Sequence, residues 1–313
     1  MALPEAVVLF GPSGFVGRNI VEALRGRVGL LMGVNHSGAP VEGCDETLAA
    51  AQIDTMRTLP GDCIIINVAA FRYVATTFAH DQPAILSANV ALTDQVYRFA
   101  VTRGVTEIRN ASSVAVYPAA WPVLDDNVPV DLNAWPHAGE ASYAWSKRWG
   151  EIMANIYHQA SGISTISFRI TNPYGPFDGL DEAQTHVATA FVLRAVKDGP
   201  DFEIRGDPQA ERDFVFSGDI AKAFEASLHL RAIHDAVNLA AGFTTTIAHL
   251  AQTAMQAAHN VRPLRLTNPS SAGVKIRRAT ARRLRELLPD LAPFCSIEAG
   301  MARTLDWYRH ALS

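Results

Sequence analysis

Short apolar runs recur along the first half of the chain, and each is followed by a stretch whose apolar residues fall at helical spacing. Ala6-Val-Val-Leu-Phe10, Val28 to Val34, Cys63-Ile-Ile-Ile-Asn-Val-Ala69, Glu107-Ile-Arg-Asn-Ala111 and Ser164-Thr-Ile-Ser-Phe-Arg-Ile170 predict strands. Between them, Ile20, Val21 and Leu24 mark one helix. Ile85, Leu86, Val90, Val96 and Phe99 mark a second over Pro83 to Arg103, and Trp149, Ile152, Met153 and Ile156 mark a third that begins near Tyr143. The run at 63–69 is almost unbroken, the pattern of a parallel strand covered on both faces. This alternation predicts an α/β fold with a doubly wound parallel sheet. Val41 to Gly61 offers no clear third strand, and Val116 to Glu140 reads as a long loop rich in Pro and Trp, a candidate lid.

Beyond Pro176 the alternation weakens, which predicts a smaller, discontinuous second domain. A helix is expected over Val187 to Val196, preceded by His186, and two short strands around Gly206-Asp-Pro within Phe202 to Phe216. Ser217-Gly-Asp219 opens a helix that runs to Leu228, and Ala236 to Leu239 reads as a strand rejoining the main sheet. Thr246 to Ala258 and Ala281 to Leu288 are tail helices.

Composition narrows the class. Of 313 residues 49% are apolar and 19% charged, which argues against disorder, and no apolar run is long enough for a bilayer. The first residues lack the features of a signal peptide, so a cytoplasmic location is expected. Cys44, Cys63 and Cys295 have no metal-ligand spacing, so neither a metal site nor a disulfide is expected. A net charge of -4 gives no general attraction to nucleic acid. The local basic run of Lys275, Arg277, Arg278, Arg282, Arg283 and Arg285 reads as a solvated helix face.

Candidate chemistry sits at the ends of the predicted strands. Gly11-Pro12-Ser13-Gly14-Phe15-Val16-Gly17 follows the first strand at once and opens the first helix, where glycines let the backbone approach a pyrophosphate held at the helix N-terminus. After the second strand stand Asn35, His36 and Ser37; no carboxylate is there to repel a ribose 2′-phosphate, so the reading leans slightly to NADP over NAD, although Asn35 can also bond a ribose hydroxyl. Arg18 and His36 read equally as contacts for that phosphate or as plain exposed polar residues. Ala69 and Ala70 end the third run with room for a cofactor, and Asn89 on the following helix is read as a cofactor-side residue that bridges a bound water or a backbone carbonyl, or else as a plain polar helix position. Ser112 and Ser113 come at a carboxyl edge, where open parallel sheets place ligands. Tyr143 and Lys147 are four apart and so lie one turn apart on one helix face. A free tyrosine, with a pKa of roughly 10, is too weak a base at neutral pH; an adjacent Lys cation favours its phenolate.

Together with Asn67-Val-Ala-Ala70, Ser112-Ser113-Val-Ala-Val-Tyr117, Arg169-Ile-Thr-Asn-Pro-Tyr-Gly-Pro176, Arg212-Asp-Phe-Val-Phe-Ser-Gly-Asp219 and Leu305-Asp-Trp-Tyr308, these motifs make the chain resemble the extended short-chain dehydrogenase/reductase family of nucleotide-sugar epimerases, dehydratases and ketoreductases. The resemblance spans nearly the whole chain. It implies an NAD(P)-binding Rossmann domain over 1–170 and 215–242, a substrate domain over 171–214 and 243–313, and a homodimer built on the helices near 83–103 and 143–160. It makes Tyr143 the acid/base, Lys147 the residue that holds the nicotinamide ribose and lowers the tyrosine pKa, and Ser113 the hydrogen-bond partner of the reacting oxygen. Asn172 and Arg212 would hold a substrate diphosphate, and Pro173 would lie beside the nicotinamide.

Departures from the family pattern narrow the reaction. Relatives that eliminate water or carbon dioxide carry acidic residues directly after the serine, where this chain has Val114 and Ala115. A sugar 4-epimerase is the leading reading, and an NADPH-dependent 4-ketoreductase of a nucleotide-linked sugar the alternative. Ser113 to Pro118 and Thr185-His186-Val187 also resemble the fucose-synthase branch, with Ala115 where that branch has Cys. His186 is read first as a structural or substrate-binding residue and second as an acid. A reductase of a carbonyl compound without a nucleotide stands further back. So does a non-catalytic cofactor sensor, because Ser113, Tyr143 and Lys147 are all present.

Overall fold

The computed structural model describes residues 3–71, 78–267 and 275–312. In chain order these form β1 (Ala6–Phe10), α1 (Phe15–Leu24), β2 (Leu30–Asn35), β3 (Glu46–Ala49), β4 (Cys63–Asn67), α2 (Phe78–Arg103), β5 (Glu107–Ser113), β6 (Val123–Leu124), α3 (Ala141–Ser161), β7 (Ser164–Ile170) and β8 (Asn172–Tyr174). There follow α4 (Val187–Ala195), β9 (Phe202–Arg205), β10 (Glu211–Arg212), β11 (Phe214–Phe216), α5 (Ser217–Ser227), β12 (Asp235–Leu239), β13 (Thr245–Thr246), α6 (Ile247–Ala257), β14 (Leu264–Thr267), β15 (Ile276–Ala279), α7 (Arg282–Leu287) and α8 (Ile297–Leu312).

Seven parallel strands make the main sheet in the order β12-β7-β5-β4-β1-β2-β3. The chain winds outwards in one direction from β1 through β2 to β3 and in the other from β4, so the order reverses between β1 and β4. A crevice opens there at the carboxyl ends. Alternation along each strand builds two cores. Val7, Leu9, Ile64, Ile66 and Phe168 face Ile20, Val21, Leu24 and Phe224 of α1 and α5 on one side. Val8, Phe10, Ile65 and Ile108 face Val96, Tyr97, Ala100 and Met153 of α2 and α3 on the other. A third core joins Tyr174, Phe191, Phe202, Phe214, Phe216 and Leu250 to Met301, Leu305 and Tyr308 of the last helix.

Four local expectations are corrected. Val41 to Gly61 does contain a strand: β3 is four residues long, half-exposed at the sheet edge and in parallel register with β2 from Met32↔Glu46 to Asn35↔Ala49. Three strands rather than two lie between 202 and 216, because Asp213 interrupts β10 and β11. The segment 116–140 is not all loop: it contains β6, which pairs with β15, and the buried Arg148 donates to the carbonyls of Val116 (2.8 Å), Leu132 (2.9 Å) and Ala134. The basic run is not one helix face, since Arg277 and Arg278 lie on β15 and Arg282, Arg283 and Arg285 on α7. Among the described residues no helix is long and apolar enough to cross a membrane, and no group of His, Cys, Asp or Glu could hold a metal ion.

Candidate active site

The glycine turn is shaped by two close approaches. Gly11 has φ +86°, and a Cβ placed there would lie 2.8 Å from Ala69 Cα; one placed on Gly17 would lie 1.9 Å from the carbonyl oxygen of Gly11. These contacts let β1, the β4 loop and the first turn of α1 converge without side chains. Gly14 caps α1 with no side-chain hydrogen bond, leaving the first-turn N–H groups to an anionic ligand. Such a cradle fits a dinucleotide pyrophosphate.

From this turn a cleft of about 1550 Å³ runs across the carboxyl edge of the sheet. Gly11, Ser13, Gly14, Phe15, Val16, Asn35, His36, Ala69 and Ala70 line one part of it, and Ser113, Tyr143, Lys147, Asn172, Pro173 and His186 another. Three candidates do not line it. Gly17 is buried in the turn, and Asn89 and Arg212 bond the backbone. Asn89 is a clamp: its Oδ1 accepts the Phe71 N–H (2.9 Å), and its Nδ2 donates to the carbonyls of Phe71 (3.2 Å) and Ile85 (2.8 Å). It therefore positions the Ala69–Phe71 wall, in line with the expectation that it bridges a backbone carbonyl. The amide of Asn35 closes its own turn, donating to the Ala39 carbonyl (2.9 Å) and accepting from Gly38 N–H (2.6 Å). Arg18 stacks over Phe177 at 5.1 Å, outside the cleft lining. Ile53, Gln95 and Arg98 also line the cleft, and Gln95 is fixed to the Ala50 carbonyl (2.8 Å). Sequence reasoning missed this end, because the wall is made where α2 crosses the short 3₁₀ turn at 50–55.

Tyr143 and Lys147 fall in the first two turns of α3, half-buried. Lys147 Nζ lies 5.6 Å from the Tyr143 ring centre and donates to the Ala111 carbonyl (2.8 Å). Burial pushes the Lys147 pKa down to about 8, partly opposed by the negative charge of Glu151 one turn further on. Ser113 Oγ accepts from Ala115 N–H (3.1 Å), capping the 3₁₀ turn that follows β5, so its own proton stays available to a ligand. Val114 and Ala115, beside it, are buried.

Behind these residues lies a buried network that no motif announced. Arg169 forks onto both oxygens of Glu151 (2.9 and 2.7 Å), and Ser112 Oγ donates to the same carboxylate (2.7 Å). Arg169 also donates to Tyr117 Oη (3.2 Å), which in turn donates to Asn238 (2.8 Å). The network locks β5, α3, β7 and β12 together beneath Ser113 and Lys147. Deleting one partner of such a buried pair typically costs about 3–5 kcal/mol, because the other charge is left without a counterion.

At the far end, Asn172 Nδ2 donates to the Asp213 carbonyl (2.7 Å), joining β8 to β11. Arg212 donates to the carbonyls of Glu211 (2.8 Å) and Lys275 (3.3 Å); burial and the neighbouring Arg277 both lower its pKa. Arg277 pairs with Glu140, which lines the cleft. His186 has a partner that the sequence did not reveal: the fully buried Asp178 accepts its Nδ1–H (2.8 Å) and its backbone N–H (2.9 Å).

A glycine turn at the reversal of a parallel sheet, with serine, tyrosine and lysine lining the same cleft, defines a dinucleotide-dependent enzyme of the Rossmann type. The chain belongs to the NAD dependent epimerase/dehydratase family, whose model matches residues 7–240, and it is an NAD(P)-dependent enzyme of that family. It is 26% identical over 323 residues to a dTDP-4-dehydro-6-deoxy-D-allose reductase of Streptomyces sp, covering 97% of this chain and 96% of that one. To a GDP-L-fucose synthase of Dictyostelium discoideum it is 24% identical, covering 70% of each. Among solved structures, the UDP-glucose 4-epimerase of Thermotoga maritima superposes with a TM-score of 0.83 at 18% identity, covering 98% of this chain and 100% of that one, a likeness of fold. Both reductases and epimerases of nucleotide sugars thus occur among its relatives.

Proposed function

We propose that this enzyme reduces the 4-keto carbon of a nucleotide-diphosphate sugar. The observation that carries the proposal is a cleft holding Ser113, Tyr143 and Lys147 in a chain that aligns from end to end with a 4-keto-sugar reductase. When bound, a reduced nicotinamide cofactor would supply the hydride. Ser113 and Tyr143 donate hydrogen bonds to the carbonyl oxygen, and Tyr143 delivers the proton as that oxygen becomes an alkoxide. The Lys147 cation beside the phenol favours its loss of a proton. Asn172 and His186 contact the substrate within the cleft, and Arg212, which feels the charges of Arg277 and of the cleft-lining Glu140, is assigned to its diphosphate. Residues 1–170 and 215–242 carry the cofactor, and 171–214 with 243–313 the substrate.

NADPH is the proposed donor, in a cytoplasmic setting. No carboxylate ends β2, while His36 and Ser37 are exposed beside the cleft end that would take the adenine ribose. A 4-epimerase is the second reading, favoured by the same three residues, since one reversible acid/base suffices to oxidise and re-reduce a single carbon. Mass spectrometry of the dinucleotide released on denaturing the purified protein tests the choice. A reductase releases its cofactor at every turnover and is expected to emerge largely empty, binding NADPH more tightly than NADH. Stoichiometric NAD would support the epimerase instead.

A further inference from the structure

His186 stands at the start of α4 with its side chain 42% exposed to the cleft, and its ring packs against Phe15, 5.5 Å between centres. Asp178 is fully buried and grips it twice, one carboxylate oxygen on Nδ1 and the other on the backbone N–H of the same residue. The double grip fixes both where the helix begins and how the ring is turned. With Nδ1 facing the buried carboxylate, Nε2 is on the opposite edge of the ring, and among the described residues it has no hydrogen-bond partner. A carboxylate accepts only, so the Nδ1 it faces carries the proton. In the neutral ring Nε2 then holds a lone pair.

We propose that Asp178 is a positioning residue that fixes the tautomer of His186, so that Nε2 accepts a hydrogen bond from a hydroxyl of the bound sugar. This rests on the reading of the cleft as a nucleotide-sugar site. A second acceptor facing the cleft, apart from the Ser113 and Tyr143 donors, selects substrates that carry a hydroxyl near the reacting carbonyl. A site built to pair such a group rejects analogues that lack it, because the acceptor is then buried without a partner.

Nitrogen-15 NMR of the histidine-labelled full-length protein at neutral pH tests the tautomer without any substrate, with His186→Asn identifying the resonance. The expected pattern is a protonated Nδ1 and an unprotonated Nε2, reversed in Asp178→Asn, whose amide can donate to Nδ1. Protonation of Nε2 in the native protein, alone or together with Nδ1, would overturn the proposal. In turnover, Asp178→Asn and His186→Asn are each expected to lower kcat/KM by about 10–100-fold, the range found for residues that orient a ligating histidine. The double variant should lose no more than His186→Asn alone. Against a substrate analogue lacking the recognised hydroxyl, all forms should be equally poor. Additive losses, or an Asp178→Asn variant as active as the native enzyme, would refute the positioning role. Because the NMR result needs no turnover, failure to find a nucleotide-sugar substrate would be distinguishable from failure of the tautomer assignment.

Discussion

At Tyr143 and Lys147, sequence and structure agree because their relation is local: four residues on one helix determine that they share a face. Tyr143→Phe should lower kcat by about 10²–10⁴-fold, the usual contribution of a positioned acid/base, while leaving cofactor affinity, read by fluorescence quenching, nearly unchanged. Burial brings Lys147 down to about 8, so its cation is lost as pH rises through that value. The kcat/KM of the enzyme should therefore fall on the alkaline side with a midpoint near there, and a profile flat to pH 10 would exclude Lys147 as the controlling charge. Partners reached through the fold stayed hidden. Glu151 and Arg169 are eighteen residues apart on different elements, and Asp178 meets His186 only after the chain turns at Phe177, which has φ +70°.

Among the elements, strands with a buried apolar pattern were legible, the edge strand β12 included, while short or exposed ones were not. β4 is read from its apolar run and β7 from the alternation of Ile166, Phe168 and Ile170 with polar residues, and β7 matches its expected bounds from Ser164 to Ile170. β3 has the sequence Glu-Thr-Leu-Ala at an exposed edge, and β10 is two residues long, so neither carries a periodic signal. The existence of β10 is decided by partners far along the chain, β15 and β13. The glycine turn was legible through its spacing, but which glycine touches what was not. Gly17→Ala would put a methyl group 1.9 Å from the Gly11 carbonyl oxygen, so the turn must move. The variant is expected to lose cofactor binding by calorimetry and several degrees of melting temperature, whereas Gly26→Ala, with open space around it but φ +69°, should bind cofactor normally and lose only stability.

The whole molecule leaves an apolar face over α2 and α3. Leu86 (39%), Trp149 (42%) and Ile156 (53%) are exposed on those two packed helices. Large apolar residues left exposed on two packed helices are a candidate interaction surface, and a homodimer formed there is the proposed assembly. Light scattering should give twice the chain mass of 33.9 kDa for the native protein and the single mass for Trp149→Glu combined with Ile156→Glu. A native monomer would remove the assembly without touching the chemistry. The expectation of a homodimer comes from the family resemblance; periodicity alone marks an amphipathic helix without saying what covers its second face.

Multiple-turnover hydride transfer tests the central claim most directly. The enzyme is supplied with excess NADPH deuterated at the transferable position and a nucleotide-linked 4-keto-6-deoxy sugar, and the product sugar is weighed by mass spectrometry. A reductase predicts one deuterium on the product sugar for each NADPH consumed, over many turnovers, and no transfer by Tyr143→Phe. Inversion of a 4-hydroxyl sugar with tightly held NAD, without uptake of deuterium or consumption of NADPH, would contradict the account and establish the epimerase.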